Sequence, residues 1–312
     1  MPLQSLYIIG NGFDLHHRIE SKFSDFKRYL TKVDSFILED IEKYLPVRED
    51  WADLEASFAD LDTDYIGDSL SCFLPSYGAE DWRDSGHHDY EYEVDKLVKN
   101  LSEALKAHFI NWILQIDIKK AKHFCLPSTA KYLSFNYTST LETVYGLPEE
   151  SILYIHNKAE DQLSDLILGH GWNPSEIVSL NHGIDTENYD VRISGANEII
   201  DEYFSKTFKP TENIIKENAD FFKSLRNITH IYVLGHSLSE VDIAYFRAIV
   251  DGIDSHRVHW KISYYRDVEL TTHRDTMKAL DIDDKLLEFS RLRGVPCNRH
   301  SYCRVTDVPA VT

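Results

Sequence analysis

Gly10, Asn11 and Gly12 interrupt an apolar run, and a helical pattern resumes after them. Glycine at such a turn answers either a positive φ or the close approach of another group to the backbone. A helix starting there aims unpaired N–H groups at the same spot, which suits a pyrophosphate. A tight structural turn would leave the same letters, and no third glycine completes a G-x-G-x-x-G frame. Asp14 is placed to meet a ribose hydroxyl or to cap the following turn. His16 and His17 invite a metal, but neighbours on a helix point about 100° apart, so one is expected packed and one exposed. Ser21 and Ser24 read as helix caps or as phosphate contacts.

Four further polar groups terminate apolar runs. They are Asn136-Tyr137 in SFNYTSTLE, His156 in YIHNK, Gly169-His170 in ILGHG, and Gly235-His236-Ser237 in YVLGHSLSEVD, with Asp242 about a turn later. Each has a structural reading: Ser237 or Ser239 as an N-cap, with Glu240 and Asp242 favouring the positive helix end, His156 as a satisfied core histidine, Asn136 as a turn stabiliser. Gathered on one edge of a sheet with a Gly-x-Gly turn, they are what a nucleotide crevice requires. In DWADLEASF, Trp51, Leu54, Phe58 and Leu61 share one helical face with Glu55 at its margin, which fits a core helix with a snorkelling acid more readily than a catalytic Glu55. GHSLS is not a serine-hydrolase elbow, because Ser239 occupies the second glycine position of G-x-S-x-G.

The elements that must position these groups are short apolar strands at 3–9, 131–135, 152–156, 165–169, 230–235 and 258–265. Strands without strict alternation are usually buried on both faces. Helical patterns at 196–204, 213–225 and 241–250 alternate with them, which predicts a doubly wound α/β fold with a parallel sheet. Ligands of such folds sit beyond the carboxyl ends of the strands. Residues 21–125 differ: helical segments near 22–31, 34–45, 51–62 and 91–115, with no strand, read as a helical insertion after the first strand. The stretch 75–93, rich in Gly, Ser, Asp and His, reads as an exposed loop, with His87 and His88 solvated in it.

With 312 residues, 43% of them hydrophobic, the chain can bury a large core. Lys and Arg number 33 against 52 Asp and Glu, a formal net charge of −19, so direct nucleic-acid binding is disfavoured. The chain shows neither a signal-peptide pattern nor an apolar run near the roughly 20 residues a membrane helix needs, which leads us to expect a cytoplasmic protein away from the membrane. Cys72, Cys125, Cys297 and Cys303 are then expected to be free thiols. The segment CNRHSYC, with His300 between two cysteines, lacks the ligand spacing of a structural zinc, and we expect no metal.

IIGNGFD, DWADLE, SFNYTSTLE, IHN, ILGHG and VLGHSLSEVDI, in that order, resemble the bacteriophage abortive-infection AbiH-like family over nearly the whole chain. That family in turn resembles sirtuin-like NAD-consuming domains. The resemblance implies a single sirtuin-like, Rossmann-like α/β domain over 1–312 with the insertion inside it, and NAD, or a related dinucleotide, as substrate. It implies Gly10, Asn11, Gly12, Phe13 and Asp14 at the dinucleotide, Asn136 with Tyr137 near the nicotinamide ribose, and His156 as the polar catalytic group. Gly235, Ser237 and Asp242 would line the adenosine side. The chain departs from the sirtuin-like pattern in two places: Asn157 follows His156 where glycine is usual, and the zinc ribbon is missing, which argues against a protein deacylase.

Cleavage of the nicotinamide–ribose bond releases a neutral leaving group through an oxocarbenium-like state, so no strong general acid is needed. The expected roles are Asn136 orienting water or ribose, His156 accepting a proton, and the glycine turn holding the pyrophosphate. NAD depletion would suit abortive infection, and a toxic hydrolase has to be restrained beforehand, through self-association, a phage-derived trigger or a partner over residues 65–95. Two rivals stand beside this reading. One is a non-catalytic NAD or ADP-ribose sensor, which Asn157 beside His156 keeps open. The other is a metal-dependent nuclease or phosphoesterase using Asp14, His16, His156, His170, His236 and Asp242.

Overall fold

In the computed structural model the described residues are 4–78, 83–176, 178–183 and 190–294. Cys297, His300 and Cys303 therefore lie outside the described residues. The chain divides into two compact units, one formed by Met1–Ser21, Ile116–Lys158 and Ile214–Thr312, the other by Lys22–Gln115 and Ala159–Asn213. The second unit thus draws on two stretches of chain rather than one.

The first unit is built on six strands: Ser5–Ile9 (β1), Lys131–Ser134 (β2), Ile152–Tyr154 (β3), His230–Leu234 (β4), His259–Tyr264 (β5) and Leu287–Arg291 (β6). They pair in the order β3-β2-β1-β4-β5-β6, every pair parallel. This is the order of the doubly wound dinucleotide-binding fold, whose strand order reverses between β1 and β4. All five residues of β1 are buried, as its unbroken apolar run requires of a central strand covered on both faces. Register places Tyr7 opposite both Tyr132 and Tyr232. Their rings stack at 5.2 and 4.7 Å, and each such pair adds about 1 kcal/mol beyond its buried area. Phe13, Phe124, Leu141 and Tyr145 complete this core.

Residues 165–169 form no strand and belong to the second unit, where His170 makes one isolated parallel bridge, with Phe208. The Thr207 carbonyl lies where a Cβ at residue 169 would come within 1.8 Å of it, so this segment is apolar because it packs on the loop after helix Val191–Lys206. Conversely, the sequence gives no strand signal at β6, because an edge strand carrying Glu288, Ser290 and Arg291 and only partly buried leaves no apolar run.

The second unit is helical, with Phe23–Val33, Ser35–Tyr44, Thr63–Leu70, Asp89–Lys99, Leu105–Ile113 and Val191–Lys206 as its longer elements. Residues 89–93, expected in a loop, are helical, and Tyr90 and Val94 bury one face. Rings of Phe26, Trp51, Phe109 and Trp112 gather in its core. Among the described residues no helix is long and apolar enough to cross a membrane.

Candidate functional site

The turn after β1 lies against the turn after β4, at the place where the strand order reverses. Gly10 N–H donates to the Leu234 carbonyl at 3.0 Å, and Gly12 N–H to the Gly235 carbonyl at 2.7 Å. A Cβ on residue 10 would stand 2.6 Å from His236 Cα, and one on residue 12 would stand 2.8 Å from the Gly235 oxygen. Gly235 itself has φ +68 and packs on Phe13 N and Gly12 C. All three glycines are thus required by close approach of the protein to itself, and a bound phosphate is not needed to explain them.

The flanking residues follow from this packing. Asn11 is exposed, and its amide is stapled to Ser21, donating to the Ser21 carbonyl at 2.8 Å and accepting from the Ser21 hydroxyl. Phe13 is fully buried against Phe124, His17 and Tyr145. Asp14, 0% exposed, neither caps its helix nor reaches the surface; it accepts from the Thr138 hydroxyl, which in turn meets Thr140 at 3.0 Å. Burial pushes the Asp14 carboxyl up to about 6, against the opposing pull of Thr138, Thr140 and Asn136.

Asn136 follows β2, which Phe135 N–H extends by donating to the Ile9 carbonyl at 2.9 Å. Its side chain is 6% exposed, and neither its Nδ2 nor its Oδ1 has a hydrogen-bond partner among the described residues; the same is true of Asp14 Oδ1. Asn136 thus stands close enough to Asp14 to favour its charged form, without hydrogen-bond geometry. Native interiors rarely leave a buried amide open at both ends.

His156 follows β3 on a loop held from both sides. Tyr154 OH donates to Glu142 Oε2, and Lys158 Nζ pairs with Glu142 Oε1 at 2.6 Å, so Glu142 in helix Thr140–Tyr145 clamps the chain before and after the histidine. Asn157 has φ +61, a left-handed conformation that asparagine accepts better than other side chains. The His156 ring lies between Phe135 at 5.4 Å, Tyr245 at 5.6 Å and Tyr137 at 6.1 Å. Its Nε2 is 3.7 Å from Asp242 Oδ1. On the other side of that carboxylate, His236 Nε2 is 3.6 Å from Oδ2, and Ser239 Oγ donates to Oδ2 at 3.1 Å. Leu238 N–H donates to His236 Nδ1 at 2.9 Å, which puts the His236 proton on Nε2, facing Asp242. Ser237, between them in sequence, is exposed.

The carboxyl edge of β1 to β4 therefore carries Asp14, Asn136, Tyr137, His156, Gly235, His236 and Asp242. His170 lies in the second unit, bonded to the Phe204 carbonyl at 3.1 Å and to Trp172 N–H at 3.2 Å, and does not join the edge on which it was expected. Glu55 is also in the second unit, paired at 2.7 Å with the fully buried Lys209. Sequence reasoning missed Thr138 and Thr140 as partners of Asp14, although a T-x-T directly after the Asn136-Tyr137 strand end was a legible signal. Among the described residues no group of three or more His, Cys, Asp or Glu is disposed to hold a metal ion.

A parallel sheet with this strand order and a polar carboxyl edge define an α/β protein of Rossmann-like topology with helical insertions. The family model described as bacteriophage abortive infection AbiH matches residues 6–264, and the chain belongs to that family. No curated protein and no solved structure matches it.

Proposed function

We propose that this AbiH-family protein is an NAD glycohydrolase whose site is the carboxyl edge of β1 to β4, and that it drains NAD from the infected cell. The observation that carries the reading is Asn136, a buried amide with donor and acceptor both open, flanked by the open Oδ1 of Asp14 on the same sheet edge as His156 and Asp242. An open amide fits a ligand that offers hydroxyl groups, as a ribose does. The resemblance of the sequence motifs to sirtuin-like NAD-consuming domains fits the same assignment, and Asn157, at φ +61, holds the conformation that glycine would supply at that position.

In the reaction, water adds to the anomeric carbon of the nicotinamide ribose as the C–N bond breaks, giving ADP-ribose, neutral nicotinamide and one proton. Asn136 orients the water or a ribose hydroxyl, and His156 accepts the proton. Positioning carries most of the rate, since the leaving group needs no protonation. At the glycine turn, contact with the dinucleotide falls to exposed Asn11, because the Gly10 and Gly12 amides are already bonded to β4 and its turn. Purified protein incubated with NAD should release nicotinamide and ADP-ribose in equal amounts. Binding of NAD without release of either product would replace the hydrolase with a sensor.

A further inference from the structure

We infer that Asp242 is the positioning residue of His156, held between two histidines so that its charge steadies the imidazolium formed when His156 takes the proton. The inference rests on the reading of His156 as proton acceptor and adds a role that the sequence motifs do not supply. Asp242 comes from the helical turn after β4, and His156 from the end of β3, so only the fold brings them together. The separation of 3.7 Å is longer than a hydrogen bond, yet Phe135, Tyr245 and Phe246 surround the group. In such an enclosure a unit charge at this distance acts far more strongly than in water.

His236 gives the arrangement its direction. Its Nδ1 is occupied by Leu238 N–H, so it presents Nε2–H to the carboxylate, and with Ser239 Oγ it faces Oδ2, the oxygen not set against His156. Oδ1 is the oxygen set toward His156. The titratable groups set against His156 are Asp242, Tyr137 and Tyr245, with His236 beyond Asp242.

The test compares Asp242→Asn, which keeps shape and removes charge, with wild type. NAD turnover is expected to fall at least thirtyfold in kcat with KM changed less than threefold, and the acid limb of the pH–rate profile is expected to shift. Asp242→Glu, which restores the charge, should recover most of kcat. Independently of turnover, the ring resonances of His156 should titrate at lower pH in Asp242→Asn, while those of His230 and His259, at the amino ends of β4 and β5, stay in place. If Asp242→Asn does not fold, wild-type protein suffices: the Asp242 carboxyl carbon should register the titration step of His156, as coupled groups do. A coupled titration in a protein that releases no nicotinamide would uphold the pairing and remove the substrate. Unchanged kcat with unchanged titration, or two independent titrations in wild type, would overturn the pairing.

Discussion

Two buried polar clusters in the first unit use similar side chains and end differently. Around His17, every group is matched: Nδ1 donates to the Phe13 carbonyl at 2.8 Å, Nε2 accepts from Tyr145 OH at 2.7 Å, and that oxygen accepts from the His123 and Phe124 amides at 3.2 Å. Around Asn136, the amide and one oxygen of Asp14 are left open among the described residues. Both clusters are expensive to bury, but only the first recovers the cost within the chain. A closed network specifies the fold, whereas the open one is, in the function proposed above, where the ribose would bind. The sequence separates them only in part: the His16-His17 pair reads as one packed and one exposed histidine and His156 as the polar catalytic group, but nothing in the letters shows that His123 stacks on His17 at 4.6 Å.

The widest separation should come from Asn136→Ala and His156→Ala. Each is expected to lower NAD turnover at least a hundredfold. Asn136→Ala should leave the melting temperature unchanged or raised, because no hydrogen bond is lost. A melting temperature lowered by 10 °C or more in Asn136→Ala would make it a structural residue.

Next comes Asp14→Asn. Folded Asp14 keeps its proton up to about pH 6, whereas the unfolded value is 3.8, so between them the folded form binds more protons and stability falls as pH rises. His17 works in the opposite sense: it is lowered from 6.5 to about 4, and stability falls as pH drops between those values. The two slopes oppose each other from about pH 4 to 6. Removing the carboxyl should therefore raise stability at pH 7 by up to about 3 kcal/mol, and expose the acid sensitivity that His17 contributes. Denaturant titrations at pH 5 and pH 7 read both effects; a variant no more stable than wild type at pH 7 would show that the buried carboxylate is not a burden.

Tyr145→Phe should break the closed cluster instead. Loss of the hydroxyl strands His17 Nε2 and two amides, and a cost of about 2 kcal/mol is expected with kcat near that of wild type. Reduced kcat in a folded Tyr145→Phe protein would erase the distinction between the clusters. The smallest effect belongs to Asn157→Gly, within about 1 kcal/mol and with turnover preserved, because glycine adopts the same left-handed φ.

Central strands were legible because burial on both faces writes a nearly continuous apolar run, as in β1 and β4. β6 escaped for the converse reason, and 165–169 misled because a segment packed beneath a loop is as apolar as a strand. The need for glycine at 10 and 12 was legible, but not its cause, which is a backbone more than 220 residues away in the chain. Asn136 and His156 were visible as strand-end groups. What surrounds them was not: Asp14 meets Thr138 across 124 residues of sequence, and Asp242 faces His156 only once β3 and β4 are in one sheet.

The most direct measurement follows free nicotinamide from NAD in parallel reactions of wild type, Asn136→Ala and Tyr145→Phe, at a temperature where all three are folded. Release by wild type and Tyr145→Phe with none from Asn136→Ala is the expected result, and assigns chemistry to the open cluster. Equal release by wild type and Asn136→Ala, or its loss in Tyr145→Phe alone, would contradict that assignment.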